Sequence, residues 1–368
     1  MFKRTVILLS VLLSAALADS ARAEGERSAR TLTVMTQNLY LGADLTPAIA
    51  AIQSGDPNQI PPAVSQVWAN VQATDFPARA QALAGDIERS RPDLIGLQEA
   101  ALWRSEFPFD GFDLDATHVE YNFVKLLLDA LAARGEHYSV VTLFTGLDVE
   151  APRVKSVSPL ELEDIRLTDR AVILVREAPG QRKLSLSNPR VGSFVTNVAF
   201  DGVTVLYGWA SVDVKFGGGK FRFVTTHLES DFEAVRVAQS AELIAGPLRT
   251  DLPVILVGDL NSNANGDETS SAYFNFLGAG FTDAWGMANP GERINTCCND
   301  AFLTNPIPFV QPFGRIDHVL FRGGFTVRGT RIIGAKPADR ISGLWPSDHA
   351  GVVVSLSVRG NEDDQDRN

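Results

Sequence analysis

Residues 345–354 read WPSDHAGVVV and place an acidic residue and a histidine at the entrance to a strand. The alternating β-branched residues that follow Asp348 and His349 predict a strand over residues 351–358. Catalytic groups are common on loops that a rigid strand holds in place. Asp348 and His349 are therefore candidates for catalytic chemistry.

Other predicted strands also end in polar side chains. Asn38 follows the first predicted strand, and Glu99 follows the buried strand 93–98. His227 follows the strand 220–226 and is one of five histidines in the chain. Taken alone, each has an ordinary explanation as a turn residue, a solvated strand end or a core histidine.

Two more segments carry polar residues in similar settings. In VGDLNSN a glycine turns the chain after an apolar strand, so Asp259 and Asn261 lie at one loop mouth, unless they form an ordinary Asx-turn. Asp317 and His318 are neighbours in the predicted strand 315–322. Because side chains alternate along a strand, only one of the two can face a shared site.

Several strand ends that each present Asp, Glu, Asn or His indicate chemistry on a phosphate ester. Cleaving such an ester requires a hard cation on the phosphate oxygens, a base that activates water, and donors for the developing charge. Mg²⁺ prefers one or two carboxylates together with waters. Histidine suits the base, because its pKa lies near neutrality and a carboxylate can hold its tautomer.

The order of predicted elements favours an α/β (α+β) fold with mixed sheets and helices outside them. No glycine-rich dinucleotide or P-loop fingerprint follows a strand. Residues 146–169 are expected to form a surface flap. The predicted strands are 31–37, 93–98, 138–145, 170–176, 203–215, 220–226, 253–257, 315–322, 325–333 and 351–358, and the predicted helices are 62–73, 77–89, 119–134, 233–245 and 269–277.

Composition bounds the class of protein. The chain has 368 residues, 45% of them hydrophobic, and a formal net charge of -11. That content is enough for a sizeable core, and the acidity argues against a protein that coats duplex nucleic acid. It leaves a nuclease open, because a local basic groove or a bound cation can offset it. The polar residues 359–368 are expected to be a disordered tail.

The first residues have the pattern of a secretory signal. Lys3 and Arg4 precede the apolar stretch 6–17, and residues 21–23 offer an A-x-A cleavage site. We expect a signal peptide over residues 1–23, cut after Ala23, and hence a secreted or periplasmic protein. A cut after residue 18 and an uncleaved anchor are the alternatives.

Cys297 and Cys298 are the only two cysteines, and they are adjacent. In an oxidising compartment they could bond to each other, although a ring between neighbours strains the backbone. Two free thiols are the alternative, and the sequence leaves both open. A thiolate zinc site is disfavoured because no third cysteine is present.

The ordered series TQN, LQE, THLES, GDLNSN, IDHVLF and SDH resembles the endonuclease/exonuclease/phosphatase superfamily, also called DNase I-like. The resemblance runs from about residue 32 to residue 358, and it implies one domain over residues 31–358. It also implies a four-layer α/β sandwich, with two mixed β-sheets packed face to face and helices outside. The independent order of strands and helices agrees with this fold.

The resemblance implies a metal site formed by Glu99, Asn38 and Asp348. The implied cation is Mg²⁺, with Mn²⁺ or Ca²⁺ as alternatives. Arg170 is implied, weakly, to contact phosphate. Asp283 and Trp285 in FTDAW match a family segment, and a structural role is expected for them.

The catalytic residues also follow from the resemblance. His349 corresponds to the general base that activates water, and Asp317 corresponds to the carboxylate that orients it. His318 is then expected to face the other way. Asp259 corresponds to the acid that positions the attacking water or a second cation, and Asn261 to the amide that orients the phosphate. His227 corresponds to the histidine that stabilises the phosphate or protonates the leaving group.

The function expected from these residues is a secreted, Mg²⁺-dependent phosphodiesterase of the nuclease type. A sphingomyelinase or phospholipase C-like lipid phosphodiesterase is the alternative, with Trp209 and Phe216 of the hairpin 203–226 as candidate lipid contacts. A phosphomonoesterase and a catalytically silent binding module are more remote. The partner is a phosphodiester substrate, either nucleic acid or a phospholipid head group, and the protein is expected to be a monomer without an obligate protein partner.

Overall fold

The computed structural model describes residues 31–177, 184–200, 203–266, 269–310 and 313–358. The predicted signal peptide and the predicted tail lie outside the described residues. None of the helices in the described ranges is both long enough and apolar enough to cross a bilayer.

The strands, numbered in chain order, are β1 (Thr31–Asn38), β2 (Leu94–Gln98), β3 (Leu102–Glu106), β4 (His118–Asn122), β5 (Tyr138–Val157), β6 (Leu160–Arg176), β7 (Ser185–Ser193), β8 (Val198–Phe200), β9 (Val203–Val205), β10 (Gly208–Phe216), β11 (Gly219–His227), β12 (Val254–Asp259), β13 (Thr282–Asp283), β14 (Asp317–Arg322), β15 (Phe325–Ile333) and β16 (Gly351–Val358). The α-helices are α1 (Thr46–Gln53), α2 (Ile60–Ala73), α3 (Phe76–Ser90), α4 (Phe123–Ala133), α5 (Glu233–Ala245), α6 (Ser271–Gly278) and α7 (Ala284–Ala288).

The strands form two large mixed sheets, as the sequence predicts. The first sheet has the order β15-β16-β1-β2-β6-β3-β4, and β5 also pairs with β6. The second sheet has the order β13-β14-β12-β11-β10-β7, while β8 and β9 form a separate ribbon. Pairing is parallel between β1 and β2 and between β11 and β12.

Three apolar layers separate the sheets and helices and confirm the predicted four-layer sandwich. The layer between the two sheets includes Val34, Ile255 and Val319. A second layer joins the first sheet to α2, α3 and α4, and a third joins the second sheet to α5 and α6. Each sheet is therefore apolar on both faces, which is why its central strands read as continuous hydrophobic runs.

Side-chain alternation carries selected polar residues onto the face between the sheets. In β12, Ile255 and Val257 belong to the layer between the sheets, and Asp259 continues their row. In β14, Val319 belongs to the same layer, and Asp317 lies two residues before it. Asp259 and Asp317 therefore lie at the end of the layer between the sheets.

Residues 146–169 do not form the predicted flap. They belong to a long hairpin in which β5 and β6 pair from Tyr138 and Arg176 as far as Val157 and Leu160. The pairing shifts register three times, and charged residues alternate along the hairpin where it leaves the apolar core. These interruptions hide the strand period in the sequence.

Other local predictions also differ from the structure. The predicted helix 119–134 begins only at Phe123, because residues 118–122 pair with β3 and the side chain of Asn122 caps the helix by accepting from the Lys125 N–H. The predicted strand 203–215 is split into β9 and β10. The elements α1, α7, β3, β4, β7, β8 and β13 are not among the predicted ones.

The two sheets approach closely at Gly96 in β2. A Cβ atom built on Gly96 would lie 2.4 Å from Cγ2 of Val257 and 2.5 Å from Oγ1 of Thr225. Beside this contact, Nε2 of Gln98 donates to Oγ1 of Thr225 at 2.9 Å. Only a glycine lets β2 lie this close to the second sheet.

We expect Gly96→Ala to lower the free energy of unfolding by about 1–3 kcal/mol, because the added methyl group overpacks the contact. Gly278→Ala is the control, since a Cβ there meets nothing within 4 Å. Urea denaturation of both variants and the wild type provides the measurement. Equal free energies of unfolding for Gly96→Ala and the wild type would contradict this prediction, because they would show that the sheets can move apart at this contact without loss of stability.

Candidate active site

The polar strand ends predicted from the sequence meet at one edge of the sandwich. His227, Asp259 and Asp317 are direct register partners across β11, β12 and β14. In the other sheet, Asn38 is the register partner of Gln98, which places it beside Glu99. The parallel pairs end at this edge, and the antiparallel strands β14 and β16 begin there.

His349 is paired with Asp317, thirty-two residues earlier in the chain. Its Nδ1 lies 2.9 Å from Oδ2 of Asp317, and both side chains are buried. Nε2 of His349 lies 3.6 Å from Oδ2 of Asp259 and 4.0 Å from Oδ1 of Asp348. The imidazole thus has one nitrogen held by a carboxylate and the other facing the remaining acidic groups.

The pKa of His349 is raised well above its ordinary value. Burial alone would lower it, but the carboxylates of Asp317, Asp348 and Asp259 stabilise the imidazolium more strongly. Protonation of this ring is therefore sensitive to any change in the charge of its acidic neighbours.

His318 faces away from the site, as alternation predicts. Its Nε2 lies 2.9 Å from the carbonyl oxygen of Ser262, and its Nδ1 lies 3.1 Å from Nη1 of Arg315. Arg315 also forms a buried ion pair with Asp283, whose hydrogen bonds agree with the structural role expected for it. A neutral imidazole with its proton on Nε2 satisfies both contacts.

Asp259 is the centre of the polar cluster. Its Oδ2 accepts from Nδ2 of Asn38 at 3.1 Å and lies 3.5 Å from Nε2 of His227. Its Oδ1 accepts from the backbone N–H of Asn261 at 2.9 Å. One carboxylate thereby links both sheets and both candidate catalytic histidines.

Asn261 and His227 form the adjoining part of the site. Nδ2 of Asn261 donates to the carbonyl oxygen of Leu228 at 2.8 Å and lies 3.1 Å from Nε2 of His227. The φ angle of Asn261 is 46°, a left-handed conformation that asparagine tolerates better than most residues. The bond to Leu228 fixes the amide orientation, which turns Oδ1 of Asn261 away from that carbonyl.

Glu99 lies just past the end of β2 and is only partly buried. Its Oε1 accepts from Nδ2 of Asn38 at 2.9 Å, and its Oε2 accepts from the Leu41 N–H at 2.7 Å. Its φ angle of 51° is left-handed, which is strained for a glutamate. Such strain persists only where surrounding contacts hold the residue in place.

Arg170 supplies part of that support. Its guanidinium donates to the carbonyl oxygens of Ala100 and Ala101 and to Oδ1 of Asn122. These bonds anchor the backbone that follows Glu99. The phosphate contact of Arg170 stays a prediction.

Asp348 lies near both His349 and Glu99, since its Oδ1 is 4.0 Å from Nε2 of His349 and the charges of both groups act on its carboxyl. Burial raises its pKa to about 7, with Glu99 raising it further, while His349 and Arg79 oppose the shift. Its Oδ1 is 3.3 Å from Oγ of Ser347. A cation between Asp348 and Glu99 would relieve this crowding of negative charge.

The donor set fits a hard divalent cation. Ligand atoms of Asp259, Asp317 and His349 lie within 4.8 Å of one another, and Oδ1 of Asp317 is a buried atom without a hydrogen-bond partner. Glu99 and Asp348 add two more carboxylates at the same edge. Carboxylate oxygens of this kind are the ligands that Mg²⁺, Mn²⁺ and Ca²⁺ accept.

Sequence reasoning missed Thr296, which holds the two halves of the histidine pair together. Its Oγ1 accepts from the backbone N–H groups of Ile316 and Asp317 at 3.1 Å and 3.2 Å. Its carbonyl oxygen accepts from the Ala350 N–H at 2.7 Å. A lone threonine in a loop carries no pattern that would have identified it.

The next two residues, Cys297 and Cys298, are paired as a disulfide in the structure, which corresponds to the first of the two alternatives that the sequence leaves open. The backbone of Cys297 bridges to both Gly314 and His349. The disulfide therefore lies in a segment that is bonded on one side to Gly314, just before the Asp317 strand, and on the other side to His349.

Asp169 and Arg79 are two further residues that the sequence did not single out. Burial raises the pKa of Asp169 to about 6, with Glu99 raising it and His227 lowering it, so this carboxyl lies near both groups. Arg79 is fully buried and donates to the carbonyl oxygens of Thr74, Leu39, Tyr40 and Pro346. It supports the backbone that follows Asn38 and the backbone that precedes Asp348.

The sequence profile of the "Endonuclease/Exonuclease/phosphatase family" matches residues 35–349, which include every residue of this site. The chain belongs to this family. It is accordingly a hydrolase of the endonuclease/exonuclease/phosphatase type, with a site able to hold a divalent cation. No curated protein sequence matches the chain significantly.

Solved structures of endonuclease/exonuclease/phosphatase proteins share the fold. A family protein of Bacteroides vulgatus is 14% identical with a TM-score of 0.53, covering 89% of this chain and 99% of its own. TDP2 of D. rerio, solved with a single-strand DNA product, is 16% identical with a TM-score of 0.51, covering 89% and 98%. A mannosyl-6-phosphatase of Bacteroides thetaiotaomicron is 19% identical with a TM-score of 0.50, covering 88% and 99%.

We expect His318 to make the stability of this family member depend on pH. Burial, with a smaller contribution from Arg315, lowers the pKa of His318 to about 4, whereas an unfolded histidine titrates near about 6.5. Between these values the unfolded chain binds the extra proton. Stability is therefore full above about pH 6.5 and is lost as the pH falls toward 4, by about 1.4 kcal/mol per pH unit.

The His318→Gln variant should be less stable than the wild type at pH 7.5, and the difference should shrink between pH 6.5 and pH 4. Urea denaturation at a series of pH values measures this difference. His118→Gln, which alters an exposed histidine, is the matched control and should follow the wild-type profile. A constant gap between His318→Gln and the wild type would contradict the assignment.

Proposed function

We propose that the protein is a secreted, Mg²⁺-dependent phosphodiesterase in which His349 and Asp317 activate the attacking water. The observation that carries the proposal is the buried Asp317–His349 pair, whose free imidazole nitrogen faces Asp259. A hydrogen-bonded carboxylate and histidine with an open second nitrogen is the arrangement that general base catalysis requires.

His349 accepts the proton of the attacking water on Nε2. Asp317 accepts a hydrogen bond from the Nδ1 proton, which keeps Nε2 unprotonated in the neutral ring and stabilises the imidazolium that forms. Asp259 lies on the Nε2 side and holds the water in line with the phosphorus. Because His349 must start neutral, its raised pKa places the active form toward alkaline pH.

The phosphate oxygens bind next to Asn261 and His227. Nε2 of His227 lies 3.5 Å from Oδ2 of Asp259 and 3.1 Å from Nδ2 of Asn261, so the two side chains converge where the charge develops. Hydrogen-bond donors that are already in place for this charge lower the barrier without reorganisation. His227 is also placed to protonate the leaving oxygen.

Glu99, Asp348 and Asn38 are the residues that would hold the cation. When bound, Mg²⁺ neutralises the phosphate charge and polarises the ester. The carboxylates of the site supply the negative charge that such an ion requires, and burial, with a further contribution from Glu99, raises the pKa of Asp348.

A diester is favoured over a monoester by the charges around the site. A monoester carries a second negative charge, which an additional cationic side chain would stabilise. Arg79 and Arg170 lie behind the site, but their guanidinium groups donate to backbone carbonyl oxygens. The acidic neighbour Asp169 further disfavours a dianion.

A lipid phosphodiester is the second candidate, and a specific surface favours it. Phe302, Ile307 and Phe313 are 49%, 64% and 56% exposed in the segment that follows the disulfide. This segment joins the site through Asn299, whose N–H donates to the Asp348 carbonyl oxygen at 3.0 Å. The hairpin suggested by the sequence is not that surface, because Phe216 is buried.

The proposal of secretion rests on the leader-like residues 1–23, and the Cys297–Cys298 disulfide suits an oxidising compartment. The same reasoning applies to a periplasmic location. The protein is proposed to act as a monomer on its substrate.

We expect the mature chain to cleave bis-p-nitrophenyl phosphate with Mg²⁺ and to lose activity in EDTA. A matched panel of plasmid DNA, RNA, sphingomyelin vesicles, phosphatidylcholine vesicles and p-nitrophenyl phosphate then identifies the substrate class. Cleavage of the nucleic acids supports the nuclease proposal, and cleavage of vesicles supports the lipid alternative. Full activity in EDTA, or activity confined to the monoester, would refute the proposal.

We expect His349→Ala to lower kcat about 10²- to 10⁴-fold while the protein stays folded, since a general base contributes about that factor. His137→Ala, which changes an exposed histidine, is the control.

In the wild type, the ascending limb of the kcat/KM profile should lie above pH 6.5. Asp317→Asn should lower the rate and move that limb to lower pH, because the imidazolium loses its partner. An unshifted limb would remove Asp317 from this role.

A further inference from the structure

A second group of buried carboxylates lies away from the active site, under the loop of residues 107–117. The loop sequence DGFDLD, residues 110–115, covers one face of the β5–β6 hairpin. Asp164 lies on that face, six residues along β6 from Arg170, or about 20 Å at the rise of a strand. The proposed catalytic chemistry makes no use of this group.

Glu150 and Asp164 lie on the same face of the hairpin. Glu150 is the register partner of Arg166, and Asp164 is the partner of Pro152, so the two carboxylates are diagonal neighbours. Their exposed fractions are 7% and 0%. Two acidic side chains are therefore buried next to each other.

Each of these carboxylates has one satisfied oxygen and one orphaned oxygen. Oε2 of Glu150 accepts from the Ala116 N–H at 3.0 Å, and Oδ2 of Asp164 accepts from the Asp110 N–H at 3.3 Å. Oε1 of Glu150 and Oδ1 of Asp164 are buried atoms without a hydrogen-bond partner. Both satisfied bonds come from the loop, so the two carboxylates lie against it.

The charges around Asp164 are unbalanced. Burial raises its pKa to about 6, and its charged neighbours Glu150, Asp110 and Asp115 raise it further. Arg166 forms its ion pair with Asp148 at 2.7 Å, and its Nε is 4.0 Å from Oε2 of Glu150. A buried ionised carboxylate without a charge partner is unfavourable, and a bound cation would supply the positive charge that Asp164 lacks.

We propose that Asp164 and Glu150, together with Asp110 and Asp115 of the loop, bind a structural Ca²⁺ ion. All the side-chain ligands are carboxylate oxygens, which suits a hard cation and excludes a thiolate or imidazole zinc site. Ca²⁺ accepts six to eight oxygens in flexible geometry, so carboxylates and carbonyl oxygens from a loop can complete the shell. Mg²⁺ demands a stricter octahedron and fits such a loop less well.

Binding has to draw the loop inward. Within the described ranges, the trios of ligand atoms that already lie within 4.8 Å of one another are all at the active site. Here the hairpin supplies the fixed carboxylates and the loop supplies the moving ones. The bound ion would thereby fasten the loop onto the hairpin that extends beyond the active-site edge.

Isothermal titration of the chelator-treated chain with Ca²⁺, combined with thermal unfolding, tests this site. We expect one Ca²⁺ to be lost in Asp164→Asn and in Glu150→Gln but retained in Glu99→Gln, which alters the active site. Asp129→Asn is the charge-matched control, because Asp129 is exposed and paired with Lys125. The same titration with Mg²⁺ should show no ion that depends on Asp164.

Stability gives a second readout that a merely structural role would not produce. At pH 7.5 in EDTA, Asp164→Asn should be more stable than the wild type, because it removes an unpaired buried charge. In Ca²⁺ the order should reverse, since only the wild type gains the stabilisation that ligand binding to the native state provides. Unchanged Ca²⁺ binding in both hairpin variants, or the same stability order in both conditions, would overturn the proposal whatever the catalytic activity.

Discussion

The close contact between the two sheets at Gly96 fixes the geometry on which the rest of the site depends. With no side chain on Gly96, β2 packs directly against Val257 and Thr225 of the second sheet. Two to three residues later, the strand ends carry Asn38 and Glu99 on one sheet and Asp259 on the other. Nδ2 of Asn38 spans the gap with bonds of 2.9 Å to Glu99 and 3.1 Å to Asp259. A wider separation would break this link before it unfolded the core.

The site concentrates negative charge where the fold offers little solvent. Asp259, Asp317 and Asp348 surround one imidazole, and burial raises the pKa values of Asp317 and Asp348. Such a cluster is unfavourable for folding and is retained where function needs it. Arg79, Arg170 and Thr296 hold this cluster mainly through buried hydrogen bonds to backbone groups, and the charge of Arg79 also opposes the rise in the pKa of Asp348.

The hairpin site also concentrates negative charge where little solvent is present. Glu150 and Asp164 are as deeply buried as the active-site acids but have no histidine beside them. In the active site, the unpaired Oδ1 of Asp317 belongs to a carboxylate that is bonded to a histidine. At the hairpin, the unpaired oxygens belong to carboxylates that are bonded only to the backbone of a loop. Shared folds host different chemistry because such loops and edges vary while the sandwich stays. The solved relatives, at 14–19% identity, accordingly define the architecture and leave the substrate to the residues of this chain.

The sequence alone was sufficient to predict much of the fold and the composition of the site. Strand period and helix caps are local properties, so Gly351–Val358, Phe325–Ile333 and Glu233–Ala245 were predicted with the bounds that they have in the structure. Side-chain alternation, together with the family pattern, separated Asp317 from His318 and predicted the pairing of Asp317 with His349. The hairpin of β5 and β6 escaped prediction because its register shifts interrupt the period outside the core.

Only the tertiary structure decided which groups touch and which remain unpaired. Thr296 became a brace because two strands far apart in sequence meet around it, and Arg170 became an anchor because its guanidinium faces carbonyl groups. The orphaned oxygens of Glu150 and Asp164 have no signature in the sequence. Residue types and the periodicity of apolar residues are local properties of the sequence, but hydrogen-bond partners and burial depend on how the sheets and loops pack against one another.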